Sequence, residues 1–206
     1  TCTMPHGSRF NPQGTRHYSA CMMDDALVEI DTRTLRVARH FLLGRGQERG
    51  MPGAPVGHGS SVSCSPTWAQ PSADGHKVFV ACNKAGDIVE IDADGLTLVR
   101  RWPAGEGVYN LAVTRDGRLL VATDKRGQSV SVFETESGRE LKRLATRRKV
   151  VHGVVISPDD RYAFVSVEGV GSEPGSLEVI DLNALATVAT VDLGSMAGGI
   201  DVWKVQ

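Results

Sequence analysis

The sequence predicts an all-β fold of the β-propeller type, and three observations carry that prediction. Four segments with a period of roughly forty residues align with one another. Each breaks into four short runs rich in Val, Ile, Leu and Phe, divided by Gly, Asp, Asn or Pro turns. No helical period of useful length interrupts them. A four-stranded unit of this kind cannot bury both faces of its own sheet, so such units must stack radially as blades around a channel.

The first blade spans about 4–44, with His6-Gly-Ser-Arg-Phe-Asn-Pro-Gln-Gly14 as inner strand and turn, followed by His17-Tyr-Ser-Ala-Cys21, Ala26-Leu-Val-Glu-Ile-Asp31 and Leu35-Arg-Val-Ala-Arg-His-Phe41. The second, about 64–104, repeats this with Thr67–Gly75, Lys77–Cys82, Asp87–Asp92 and Leu96–Trp102. The third, about 107–146, has Tyr109–Gly117, Leu119–Thr123, Ser129–Phe133 and Glu140–Leu144; the fourth, about 150–194, has His152–Asp160, Tyr162–Val167, Ser176–Asp181 and Ala186–Val191. Asp31, Asp92 and Asp181 recur at turns, where the side chain bonds the local backbone. The inserted loop 44–64 is rich in Gly and Pro and is expected to lack regular structure. The stretch 197–205, Ala-Gly-Gly-Ile-Asp-Val-Trp-Lys-Val, resembles one more innermost strand. Four blades plus one strand imply a larger ring of seven or eight blades, completed by a complementary chain or fragment, because a bare strand edge seeks a partner. A compact four-bladed ring and a truncated chain are the alternatives.

At 206 residues, with 41% hydrophobic and 23% charged residues, the composition is that of an ordinary folded protein. A net charge of −1 supplies no general attraction for nucleic acid or an anionic membrane, and the run Arg147-Arg148-Lys149 reads as a solvated loop. No apolar run is long enough for a membrane-spanning helix, and the first residues lack the segments of a signal peptide, as a processed end would. Cys2, Cys21, Cys64 and Cys82 fit no CxxC or zinc-finger spacing. They fit one or two disulfides, or free thiols, so the compartment stays open, with a periplasmic or secreted location as the working expectation.

Ser157-Pro-Asp-Asp-Arg-Tyr-Ala-Phe-Val165, Thr114-Arg-Asp-Gly-Arg-Leu-Leu-Val121, Asp87-Ile-Val-Glu-Ile-Asp92 and Ser176-Leu-Glu-Val-Ile-Asp181 recur along nearly the whole chain. In these pieces the chain resembles the YVTN-type seven-bladed β-propellers, the group related to the haem d1 domain of nitrite reductase and to surface-layer propellers. It departs from the pattern at Val132-Phe-Glu134 and in its long insertion. The resemblance implies the blade and leaves the chemistry open, because one propeller scaffold hosts many functions.

Counting back eight from each first turn places His6, Thr67, Tyr109 and His152 at the start of the four inner strands. Counting forward seven places Cys21, Cys82, Asp124 and Val167 on the same face. The insertion adds His58 and Cys64. Histidine with thiolate or thioether suits copper or another soft ion, so His6, His58 and His152 are the expected metal ligands, with Cys21, Cys64 or Cys82 as thiol donor. Cys2 with Cys64 is an alternative disulfide pinning the insertion. Trp68 and Tyr109 are placed to flank a flat cofactor, Tyr109 and Asp24 are the candidate catalytic groups, and Met22 and Met23 alternate in direction. Zinc is a second metal option, and haem a third cofactor, although the covalent attachment signature CxxCH is absent. No GxSxG, Walker or HExxH motif is present. The readings that follow are a copper-dependent oxidoreductase acting on a small molecule, a noncatalytic protein-binding or surface module, and a haem-binding or divalent-metal hydrolase or lyase propeller.

Overall fold

The computed structural model describes residues 2–55 and 62–202. The chain divides into two compact units, Thr1–Pro103 and Ala104–Gln206. The first holds blade 1, built from β1 (Pro5–Phe10), β2 (Arg16–Cys21), β3 (Ala26–Asp31) and β4 (Arg36–Leu42) with β5 (Arg49–Pro52) added outside it. Blade 2 follows as β6 (Pro66–Pro71), β7 (Lys77–Cys82), β8 (Asp87–Asp92) and β9 (Thr97–Pro103). The second unit holds blade 3, β10 (Val108–Val113), β11 (Leu119–Asp124), β12 (Ser129–Glu134) and β13 (Glu140–Ala145), and blade 4, β14 (Val150–Ile156), β15 (Tyr162–Glu168), β16 (Gly175–Asp181) and β17 (Ala186–Leu193). Each blade is an antiparallel meander in sequence order, and no helix occurs among the described residues.

The turns explain why these segments fold alike. Between the first two strands, the hydroxyls of Ser72, Thr114 and Ser157 accept the amides of Lys77, Leu119 and Tyr162 at 2.9, 3.0 and 2.9 Å and donate to Asp74, Asp116 and Asp159. In blade 1 the Asn11 side chain takes this place, accepting the Arg16 amide at 2.8 Å. Backbone and hydroxyl donors hold Asp116 down to about 2. After the third strand, Asp31 accepts the amides of Arg33 and Thr34, and Asp181 those of Asn183 and Ala184, while Asp92 accepts the Gly95 amide at 2.6 Å. The expected turn role of these aspartates is therefore what they perform. The turns close with Leu35, Leu96 and Leu185 in the left-handed region, at φ 56°, 51° and 50°.

Each unit has its own core. Tyr18, Leu27, Phe41 and Leu43 of blade 1 meet Ala69, Val78, Val80, Val89 and Ile91 of blade 2. Val121, Val130 and Val132 of blade 3 meet Val151, Val154, Ala163, Val165 and Val167 of blade 4. Period-two alternation selects these residues, since every second side chain in a strand shares a face.

Two expectations need amendment. The insertion 44–64 is not without regular structure: β5 pairs with β4 from Arg39↔Pro52 to Leu42↔Arg49. It gives the outer strand of blade 1 a hydrogen-bonded neighbour and is tied to blade 2, where Arg101 bonds Glu48 at 2.8 Å, Asp87 at 3.1 Å and the Leu43 carbonyl. Of the expected closing strand 197–205, residues 197–202 are described and have no strand pairing, and 203–206 lie outside the described residues.

Candidate functional site

In every blade the partner of the counted second-strand residue is the residue just before the counted inner-strand one. Pro5 pairs Cys21, Pro66 pairs Cys82, Val108 pairs Asp124 and Val151 pairs Val167. What occupies these equivalent places differs sharply.

In the first unit the cysteines are spent on each other. Cys2 bonds Cys21 and Cys64 bonds Cys82, with Cα atoms 5.2 and 4.5 Å apart, and no free cysteine remains. This corrects the expected thiol donors Cys21, Cys64 and Cys82, because a disulfide sulfur is no thiolate ligand. It also replaces the Cys2–Cys64 alternative. Each bridge ties the segment entering an inner strand to the end of the neighbouring second strand.

His6 is the first residue of the predicted metal set, and its Nδ1 meets the Thr67 carbonyl at 2.7 Å, joining blade 1 to blade 2. The glycine after it is needed for packing: a Cβ on Gly7 would lie 2.0 Å from Trp68 Cε3 and 2.6 Å from the Thr67 carbonyl oxygen. Trp68 is packed against Gly7, with the Arg9 guanidinium 4.6 Å from its ring centroid. These contacts take up ring surface that a flat cofactor would use. Asp24 accepts the Thr3 amide, and Asp25 accepts Ser63 Oγ at 2.8 Å and the amides of Ser63, Cys64 and Ser65, the last two at 3.0 and 2.7 Å. The catalytic expectation for Asp24 thus meets a carboxylate engaged in holding the entering chain. His58 lies outside the described residues.

The second unit gathers reactive groups. Tyr109 on β10 and His152 on β14 place their ring centroids 4.8 Å apart. His152 Nε2 lies 3.5 Å from Glu168 Oε1, with the two side chains 23% and 18% exposed, so both are reachable yet partly desolvated. On the other side, Lys125 Nζ stands 4.3 Å from the Tyr109 ring centroid. Burial, and next the Glu168 charge, push the Tyr109 hydroxyl above its ordinary pKa. Beneath this face Asp124 is fully buried; Ser129 and Ser131 donate to its Oδ2 at 3.0 and 2.7 Å. Burial pushes the Asp124 carboxyl up as well.

The structure therefore brings together Tyr109 and His152 from the predicted set and adds Lys125 and Glu168. Both additions sit one residue beyond the counted row, after Asp124 and Val167, so the same count extended by one would have found them. Among the described residues no three His, Cys, Asp or Glu side chains are grouped to hold a metal ion.

Two solved structures illustrate this fold. Hydrazine synthase of Kuenenia stuttgartiensis superposes with a TM-score of 0.78 over 94% of this chain at 16% identity. The dihydro-heme d1 dehydrogenase NirN, in complex with DHE, superposes with a TM-score of 0.65 over 92% at 24% identity. The chain is a set of β-propeller blades. It spans 51% of the first of those chains and 37% of the second. No protein-family model matches the sequence, and no curated protein matches it.

Proposed function

We propose that this chain contributes blades of the YVTN type to a larger, redox-associated β-propeller whose ligand face carries Tyr109, Lys125, His152 and Glu168, and that its ligand is a flat tetrapyrrole of the haem class. The observation that carries the reading is the donor set of the second unit. An imidazole, an aromatic ring and an ammonium group converge there from two adjacent blades. The His152 imidazole would serve as a ligand to haem iron, the Tyr109 ring would offer an apolar face and edge, and Lys125 would meet a propionate carboxylate. The complex of NirN with DHE supports the same class of ligand for this fold.

When bound, such a group would supply one-electron chemistry. The chain's own residues would bind and orient. Lys125 would fix the acidic edge, and Tyr109 would keep water from one side of the imidazole. Glu168, 3.5 Å from His152 Nε2, would accept the Nε2 proton and so orient the ring. Tyr109, a phenol protonated at neutral pH as any tyrosine is, would act as a hydrogen-bond donor rather than as a base.

The copper or zinc reading loses its thiolate donors, since the four cysteine sulfurs are bonded in pairs. The haem-class reading asks for one histidine and uses the aromatic and cationic groups beside it. A noncatalytic binding module remains the rival, and absorption spectroscopy separates the two. Titration with iron protoporphyrin IX should give a saturable, red-shifted Soret band that Lys125→Glu weakens about tenfold. A spectrum that stays that of the free porphyrin would leave the binding module as the better reading.

A further inference from the structure

Within each unit, a carbonyl near the start of the second blade's inner strand is held from the blade before it. His6 Nδ1 meets the Thr67 carbonyl at 2.7 Å within the first unit. Within the second, Thr123 Oγ1 donates to the His152 carbonyl at 2.9 Å while accepting the Asn110 amide at 3.0 Å. Ser166 repeats the Thr123 arrangement: its Oγ accepts the Gly153 amide at 3.0 Å and donates to the carbonyl of Gly198. Gly198 thus occupies, relative to blade 4, the place that His152 occupies relative to blade 3.

Packing repeats the same correspondence. The Gly7 position is closed by Thr67 and Trp68, the next inner strand; the Gly153 position is closed by Gly198 and Ile200, where a Cβ would lie 3.1 Å from the Gly198 carbonyl oxygen and 2.9 Å from Ile200 Cγ2. Blade 4 has meanwhile turned one face, Ala163, Val165 and Val167, to blade 3. Its other face carries a cross-strand row of Val155, Phe164, Val179 and Ala189, and a second row of Ser166, Leu177 and Val191. Directly opposed residues of antiparallel strands share a face, so these rows form one apolar surface. Phe164, Leu177 and Val179 are half-buried, and Val191 is 52% exposed.

We infer that residues 197–202 are the inner strand of a fifth blade, latched on blade 4 by Ser166, and that the apolar face of blade 4 is the docking surface for that blade. The occupant is a three-stranded antiparallel β-meander with an apolar, Val- and Ile-rich face, which adds its first strand to residues 197–202 and continues the Val-on-Val contact made between blades 3 and 4. This inference stands apart from the haem-class reading.

The test appends a second copy of residues 158–193, a turn and three blade strands, after Gln206, and follows hydrogen exchange of the full chain and of the fusion. The fusion should slow exchange across 197–202 by about tenfold or more and reduce binding of a hydrophobic dye. Unchanged exchange there, whether the appended strands fold or not, overturns the docking surface. In the natural chain Ser166→Ala should speed exchange at 198–202 by about tenfold, the weight of one hydrogen bond. An unchanged rate in that variant overturns the latch.

Discussion

Where the second strand ends, blades 1 and 2 carry Cys21 and Cys82, each closed into a disulfide, whereas blades 3 and 4 carry Asp124 and Val167 at the same register. The first unit secures the entry to its inner strands covalently, by restricting the unfolded chain. The second secures it with hydroxyl latches from Thr123 and Ser166 and a buried carboxyl bonded by Ser129 and Ser131. A disulfide asks little of its surroundings and offers no proton. Side-chain hydrogen bonds and a buried acid hold less firmly but keep titratable groups at the face, which is where His152, Glu168, Tyr109 and Lys125 collect. The covalent staples lie in one unit and the gathered reactive groups in the other.

The largest effect should come from cutting the staples. The bridges close sequence separations of 19 and 18 residues, each worth about 3 kcal/mol by loop entropy. Replacing Cys64 and Cys82 by Ala should lower the unfolding midpoint of the first unit by on the order of 10 °C, measured by calorimetry and by hydrogen exchange resolved per blade. Equal loss of protection in both units would break the contrast between them. Next, Asp25→Ala should cost about 2 kcal/mol, because the carboxylate bonds the Ser63 hydroxyl and three consecutive amides. Asp25→Asn should recover part of it, since φ is 47° and asparagine tolerates that region better than alanine. Denaturant titration of the two variants ranks them.

Much of this architecture was readable from the sequence because it is local. The period of about forty residues, the turn hydroxyls and carboxylates, and the alternation that selects Val78, Val80, Ala163 and Val165 as core all depend on neighbours a few positions apart. The counts that aligned His6, Thr67, Tyr109 and His152 land one residue after the paired position in all four blades, for the same reason. Pairing of the cysteines was not readable, since four thiols allow three connectivities and spacing does not choose among them. Nor was the job of the His-Gly pairs. Gly7 and Gly153 follow histidines because the next inner segment passes over them, a packing demand that looks in sequence like a repeated ligand motif. Lys125 and Glu168 stand one residue past the counted row, Lys125 in the turn after β11 and Glu168 at the last position of β15.

Smaller effects sharpen the comparison on the polar side. Thr123→Val keeps shape and removes both bonds of the hydroxyl, to the His152 carbonyl and from the Asn110 amide. It should cost about 1 to 2 kcal/mol in the second unit and nothing in the first, and a denaturation curve followed by exchange in each unit reads this directly. The smallest effect is set by pH. Because burial raises the folded-state pKa of Asp124 above its unfolded value near 3.8, its contribution to stability is fully present below that value and is lost as pH rises through the folded pKa. Asp124→Asn should therefore flatten the stability of the second unit over that window and raise it at neutral pH. A profile that keeps its slope in the variant would assign the proton to another group, such as Glu178, whose carboxyl burial also pushes up.

The measurement that bears most directly on the account compares two histidines at one repeat position. His6→Ala and His152→Ala, each checked for folding, would be titrated with iron protoporphyrin IX and followed at the Soret band. The account predicts that His152→Ala loses the red-shifted band while His6→Ala keeps it and loses only stability, through its bond to the Thr67 carbonyl. Retention of the band in His152→Ala, or its loss in His6→Ala alone, would contradict the division between a stapled unit and a reactive one.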